Sequence, residues 1–168
     1  MARISLPECN APEVVRALSM RPELAAAVGA MDAAVWESKL DWRLHELIRM
    51  RIAQINQCTV CLGWRTPMGV EAGATDELLA SVADWRDAPG FTDAERVAIE
   101  YTERFATDSA GIDDDLVARL GRQLSDGEIV ELTLVIGKYV AFGRFMQVLG
   151  LDQTCDLSFD DTGKVVAT

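Results

Sequence analysis

Between Asp41 and Asn56 the chain reads DWRLHELIRMRIAQIN, and Leu44, Leu47, Ile48, Ile52 and Ile55 recur at intervals of three and four. That spacing lines up one face of an α-helix, so the segment is expected to lay an apolar face against a core. The helix runs straight toward Cys58 and Cys61, two of only four cysteines, with Asn56 and Gln57 suited to a break between. A second helix is expected from about Cys58 toward Gly69 or Gly73, bent at Pro67.

The rest of the chain carries further helix signals and few strand signals. Val, Ile and Thr rarely cluster, whereas Leu, Ala, Glu and Arg recur throughout, which favours helix over sheet. From Pro12 to Gly29 the expectation is short helical pieces, with Pro22 at a first helical position and Gly29 as a stop. Thr75 can cap TDELLASVADW. Thr92 with Glu95, and Ser125 with Glu128, each form a capping box at the head of a helix. A shorter helix, IDDDLVARLG, should end at Gly121. The last helix is the most apolar and should end near Gly150, which makes it the expected core. The three successive aspartates Asp113 to Asp115 belong to the shorter helix and suit the dipole at its start rather than a metal. The tail from Asp152 to Thr168 has no helical period and reads as an arm. The 168 residues are expected to form a single all-α domain, 1–168, a bundle of about six to eight helices.

A net charge of −11 without a dense Lys/Arg patch argues against a nucleic-acid partner. No stretch reaches the ~20 apolar residues of a membrane span, because Glu131, Lys138 and Arg144 interrupt the longest candidate, and the N-terminus lacks a signal-peptide run. The expected location is the cytoplasm, where a close cysteine pair serves catalysis or metal binding more readily than stapling.

Cysteines three apart share a helix face with Cβ atoms ~5 to 6 Å apart, slightly beyond disulfide reach. In a first turn the gap can close, and free N–H groups there stabilise a thiolate, so the spacing suits a reversible dithiol. Two other readings stay open. A zinc site would need two more ligands, and the only histidine is His45 while Cys9 and Cys155 sit alone near the two ends. Alternatively, the pair are two small core residues. His45 lies about 100° round the helix from Glu46 and reads as structural or surface, and Trp64 reads as a core or contact residue.

Glu46, then twelve residues to Cys58, then Cys61, resembles the carboxymuconolactone decarboxylase and alkylhydroperoxidase D family. The later segments GATDELL, FTDAERVAIEYTERFA and LSDGEIVELTLVIGKYVAFGRF follow the family's order, so the likeness covers about residues 41–151. It implies an all-α bundle assembling as trimers or hexamers, and a peroxidase needing no cofactor. In it Cys61 attacks an organic or hydrogen peroxide, Cys58 closes the disulfide, and Glu46 serves a proton relay. It also implies a lipoylated or thioredoxin-like protein as reductant.

One position departs from the pattern. The family usually has a histidine four residues after the second cysteine, and here Arg65 stands there. Histidine passes protons near neutrality and arginine does not. Across a helical hairpin turning at Asn56 and Gln57, Arg65 should lie roughly level with Glu46, so an ion pair between them is expected, with the guanidinium close to the thiolate. The alternatives are a non-enzymatic dithiol sensor or ligand-binding relative, and a lactone decarboxylase, for which a redox pair has little use.

Overall fold

Asp41 opens the helix that the rest of the molecule surrounds, its carboxylate accepting a hydrogen bond from the Leu44 N–H. The computed structural model describes residues 2–151 and the backbone of 158–159 and 165–166. Among these residues the chain forms nine α-helices, three of them single turns of five residues. They are α1 (Glu13–Ser19), α2 (Pro22–Trp36), α3 (Trp42–Asn56), α4 (Thr59–Gly63), α5 (Pro67–Glu71), α6 (Asp76–Ala80), α7 (Asp93–Thr107), α8 (Asp114–Gly121) and α9 (Asp126–Leu149). The all-α bundle expected from the sequence is what forms. Ser158–Phe159 and Val165–Val166 add a short antiparallel pair, β1 and β2; Cys155 and the rest of the tail lie outside the described residues.

The strongest local signals produce the expected ends. Thr92 and Ser125 close their capping boxes, Thr75 accepts from the Leu78 N–H, and Gly150 ends α9 at φ 65°. Asp113 caps α8 through the Leu116 N–H, and Asp115 pairs with Arg119. Two expectations need correction. Gly29 does not stop α2, which continues to Trp36, because the alanines around it are the best helix formers and outweigh one glycine. The helix expected from Cys58 to Gly69 or Gly73 instead breaks into α4 and α5. Pro67 disfavours helical backbone at Thr66, so Trp64 and Thr66 are extended, and the Thr66 hydroxyl accepts from the Gly69 N–H to start α5.

The core is centred on α3 rather than on α9. Leu44, Ile48 and Ile52 pack with Ala98, Leu132 and Ile136 on one side, while Leu47 and Met50 pack with Leu79, Val82 and Ile99 on another. With both sides covered, α3 also buries the polar residues His45, Glu46, Arg49 and Asn56. Helix α9 buries Leu132, Ile136 and Val140 but leaves Val130, Leu134 and Val148 more than half exposed. Helix α1 closes the far end, with Val14 against Met146 and Leu151. No helix among the described residues is long and apolar enough to cross a membrane.

Candidate functional site

Gln57 ends α3 in the left-handed conformation, φ 53°, and this reversal delivers Cys58 to the N-cap of α4. The Cys58 sulfur accepts from the Cys61 N–H at 3.3 Å and is bonded to the Cys61 sulfur, with the Cα atoms 5.3 Å apart. The expected first-turn dithiol is therefore present in its oxidised form. The two sulfurs differ in access: Cys58 is 1% exposed, whereas Cys61 is half-buried.

Behind the pair lies a closed polar cluster. The Glu46 carboxylate accepts from Arg49 Nη2 at 2.6 Å and Nε at 2.8 Å, and from the Thr66 hydroxyl at 2.9 Å and N–H at 3.3 Å. Arg49 also donates to the carbonyls of Cys61, at 2.8 Å, and Trp64, at 2.7 Å, with its guanidinium 5.1 Å from the Trp64 ring. A buried carboxylate and a buried guanidinium are thus paired and saturated with hydrogen bonds, the condition under which such a pair is tolerated. Its structural effect is to tie the end of α4 to the middle of α3.

Arg65 is not the partner of Glu46. Its Nε donates to Asp76 at 2.8 Å and its Nη1 to the carbonyls of Leu62 and Trp64, with the side chain about a third exposed. The reason is local. Side chains alternate along the extended segment from Trp64 to Thr66, so the inward position opposite Glu46 falls to Thr66 and the outward one to Arg65. Arg49, one turn beyond Glu46 on the same helix, takes the carboxylate first.

Both cysteines line a cavity of about 280 Å³ enclosed mainly by apolar side chains of α1, α2, α3 and α9, among them Val14, Val28, Ile52 and Phe142. Trp64 forms part of its wall, and Trp36 stands edge-on to it at 5.8 Å. The polar exceptions include Asp32 and Lys138, joined at 2.5 Å, with the ammonium 4.2 Å from the Tyr139 ring. Burial lowers the Lys138 pKa, opposed by the Asp32 carboxylate. Tyr139 also faces the cavity, and its hydroxyl meets His45 Nε2 at 3.0 Å. Burial pushes the Tyr139 hydroxyl up and, aided by Lys138 and Arg49, pulls His45 down to about 3. His45 stacks on Trp42 with centroids 4.5 Å apart, so its structural expectation is met inside the core rather than at the surface.

Sequence reasoning missed Arg49, Thr66, Asp32, Lys138 and Tyr139. Two signals were available: the Glu46-x-x-Arg49 spacing on a buried helix, and a lysine in the middle of the most apolar helix. Of the remaining cysteines, Cys9 is free and exposed.

The sequence pattern of the carboxymuconolactone decarboxylase family matches residues 22–104. The uncharacterized protein YnjA of Escherichia coli (strain K12) is 36% identical over 115 residues, 68% of this chain and 63% of YnjA, so the chain spans less than two thirds of that relative's length. The uncharacterized protein YdfG of Bacillus subtilis (strain 168) is 23% identical over 77% of this chain and 88% of its own. Among solved structures, a protein of unknown function from Agrobacterium tumefaciens, proposed as antioxidant defence protein AhpD, superposes with a TM-score of 0.74 at 25% identity, covering 89% of this chain and 96% of that one. The debrominase Bmp8 in complex with 2,3,4-tribromopyrrole shares the fold, with a TM-score of 0.73 at 16% identity over 86% of this chain and 78% of that one.

Proposed function

We propose that this chain, which belongs to the carboxymuconolactone decarboxylase family, is a thiol-dependent peroxidase that cycles through the Cys58–Cys61 disulfide. The observation that carries the reading is two sulfurs bonded to one another in the wall of an apolar cavity large enough for a small organic molecule. Cys61, the more accessible sulfur, attacks an organic or hydrogen peroxide and becomes a sulfenic acid; buried Cys58 condenses with it, releasing water and closing the disulfide. A small dithiol or a lipoylated or thioredoxin-like protein returns the pair to thiols. The roles of Glu46 and Arg65 are those of braces: Glu46 with Arg49 holds α4, and Arg65 with Asp76 holds the segment that follows. The reading includes a cytoplasmic location, where the pair can be reduced, and a homo-oligomer. Support for the oligomer comes from the exposed apolar residues Val130 and Leu134, one turn apart on α9.

A second reading, a dithiol redox sensor or ligand-binding relative without turnover, has one observation in its favour. Arg65 replaces the relay histidine and points to Asp76, and the Glu46 carboxylate is fully engaged. The lactone decarboxylase reading has no such support.

Peroxide consumption with a dithiol donor separates them, comparing the wild type with Cys61→Ser and Cys58→Ser and following the disulfide by mass spectrometry. Turnover lost in both variants, with peroxide forming the disulfide in the wild type, supports the peroxidase. Disulfide formation without turnover supports the sensor, and no disulfide at all sinks both.

A further inference from the structure

A thiol that reduces an organic peroxide must lose one proton, and the alkoxide that leaves must gain one. The groups to which the family resemblance assigns this transfer are unsuited here: Glu46 is saturated by Arg49 and Thr66, and Arg65 lies outside the cavity on Asp76. The lining of the cavity narrows the choice. Besides the cysteines, its charged or titratable side chains among the described residues are Asp32 from α2, Arg49 from α3, and Lys138 and Tyr139 from α9. A guanidinium does not release a proton at working pH, and Arg49 already donates to Glu46, Cys61 and Trp64. The Tyr139 hydroxyl is taken up by His45, which lies behind it and is 1% exposed.

Lys138 is the remaining group with a proton to exchange. Its ammonium has three donors, its ion-pair partner among the described residues is Asp32 at 2.5 Å, and its side chain is 12% exposed. Asp32 is 32% exposed and connects Lys138 to solvent. Burial lowers the Lys138 pKa, which makes its ammonium a readier proton donor, while the Asp32 carboxylate opposes the shift.

We propose that the Lys138 ammonium, held by Asp32 in the cavity it shares with Cys61, is the proton donor to the alkoxide that leaves in the peroxide reduction. The proposal rests on the peroxidase reading. Cys61, which is half-buried, loses its thiol proton to solvent. The thiolate then attacks the terminal oxygen of ROOH, the S–O bond forms as the O–O bond breaks, and the ammonium gives its proton to the leaving RO⁻, giving ROH and Cys61–SOH; the amine regains from solvent, beside the partly exposed Asp32, the proton the thiol released. The Cys58 thiol then displaces hydroxide from the sulfenic acid, its own proton completing the water. In sum, ROOH and two thiols give ROH, water and one disulfide, and Lys138 ends as it began.

The experiment compares wild type, Lys138→Arg and Lys138→Met in single-turnover oxidation of the reduced protein, read as the Cys58–Cys61 disulfide by mass spectrometry. Arginine keeps the charge and the Asp32 pair, so it preserves the fold while removing the exchangeable proton. Two oxidants are used: tert-butyl hydroperoxide, whose leaving alkoxide needs a proton, and peroxyacetic acid, whose leaving acetate does not. The expected result is a loss of about 100-fold for tert-butyl hydroperoxide in both variants, with the peroxyacetic acid rate held within a few-fold. A wild-type rate for Lys138→Arg with tert-butyl hydroperoxide overturns the proposal, since charge alone then suffices. An equal loss for both oxidants also overturns it, since the role is then structural. If the wild type reduces neither oxidant, the peroxidase reading falls and the proposal with it.

Discussion

Arg49 grips the carboxylate of Glu46 with two hydrogen bonds, at 2.6 and 2.8 Å, where their side chains are 2% and 0% exposed. With Thr66 adding two donors from across the hairpin, the carboxylate that opens the family pattern acts here as a clamp beneath the cysteine turn.

Breaking that clamp from one side should be costly. Arg49→Met leaves the Glu46 carboxylate buried without its counter-charge, and the expected loss is about 3 to 5 kcal/mol of unfolding free energy. Replacing both, as Glu46→Leu with Arg49→Met, should recover most of it. Denaturant unfolding of the single and double variants checks this. Equal losses in the two would show that the pair's geometry, not its charge balance, sets the stability.

Arg65→His should not restore a relay. The side chain at 65 projects toward Asp76, away from Glu46, so a histidine there does not face the cavity and peroxide turnover should stay at the wild-type level. The lost ion pair is surface-exposed and worth at most about 1 kcal/mol. A clear rate gain in a steady-state peroxide assay would contradict this geometry.

Gly69→Ala tests the closeness of the hairpin. A Cβ at 69 would stand 2.6 Å from the Thr66 hydroxyl oxygen and 2.7 and 2.8 Å from Glu46 Cβ and Cγ. The chain would have to part there, at a cost of about 1 to 3 kcal/mol. A Tm unchanged by the substitution would mean that α5 rides more loosely on α3.

His45 should make stability depend on pH in a defined direction. Burial holds its folded-state pKa near 3, below the ordinary 6.5, so the unfolded chain binds the proton first as pH falls. The contribution is complete above pH 6.5 and is lost as pH falls from there toward 3, by about 1.4 kcal/mol per unit. His45→Gln, which keeps a partner for the Tyr139 hydroxyl, should flatten this limb. Unfolding free energies at pH 7 and pH 5 for both proteins suffice, and parallel curves would rule the histidine out as the cause.

Helix ends written in adjacent residues were legible. The boxes at Thr92 and Ser125, the cap at Thr75 and the stop at Gly150 depend on side chains three or four residues from the backbone groups they satisfy. The cysteine pair and its place in a first turn were legible for the same reason. The end of α2 was not: its alanines carry the helix past Gly29, a balance of small propensities that no single residue announces.

The amino-acid sequence by itself determined the helical class, the reversal at Asn56 and Gln57 and the meeting of Cys58 with Cys61, because each follows from contacts within a few residues. Only the tertiary structure decided what surrounds the sulfurs. The non-helical segment before α5, extended at Trp64 and Thr66, turned Arg65 outward and Thr66 inward, and the approach of α2 to α9 brought Asp32 to Lys138 across more than a hundred residues of chain. Which side chain faces a cavity depends on the parity of a short extended segment and on how helices cross, and residue spacing along the chain encodes neither.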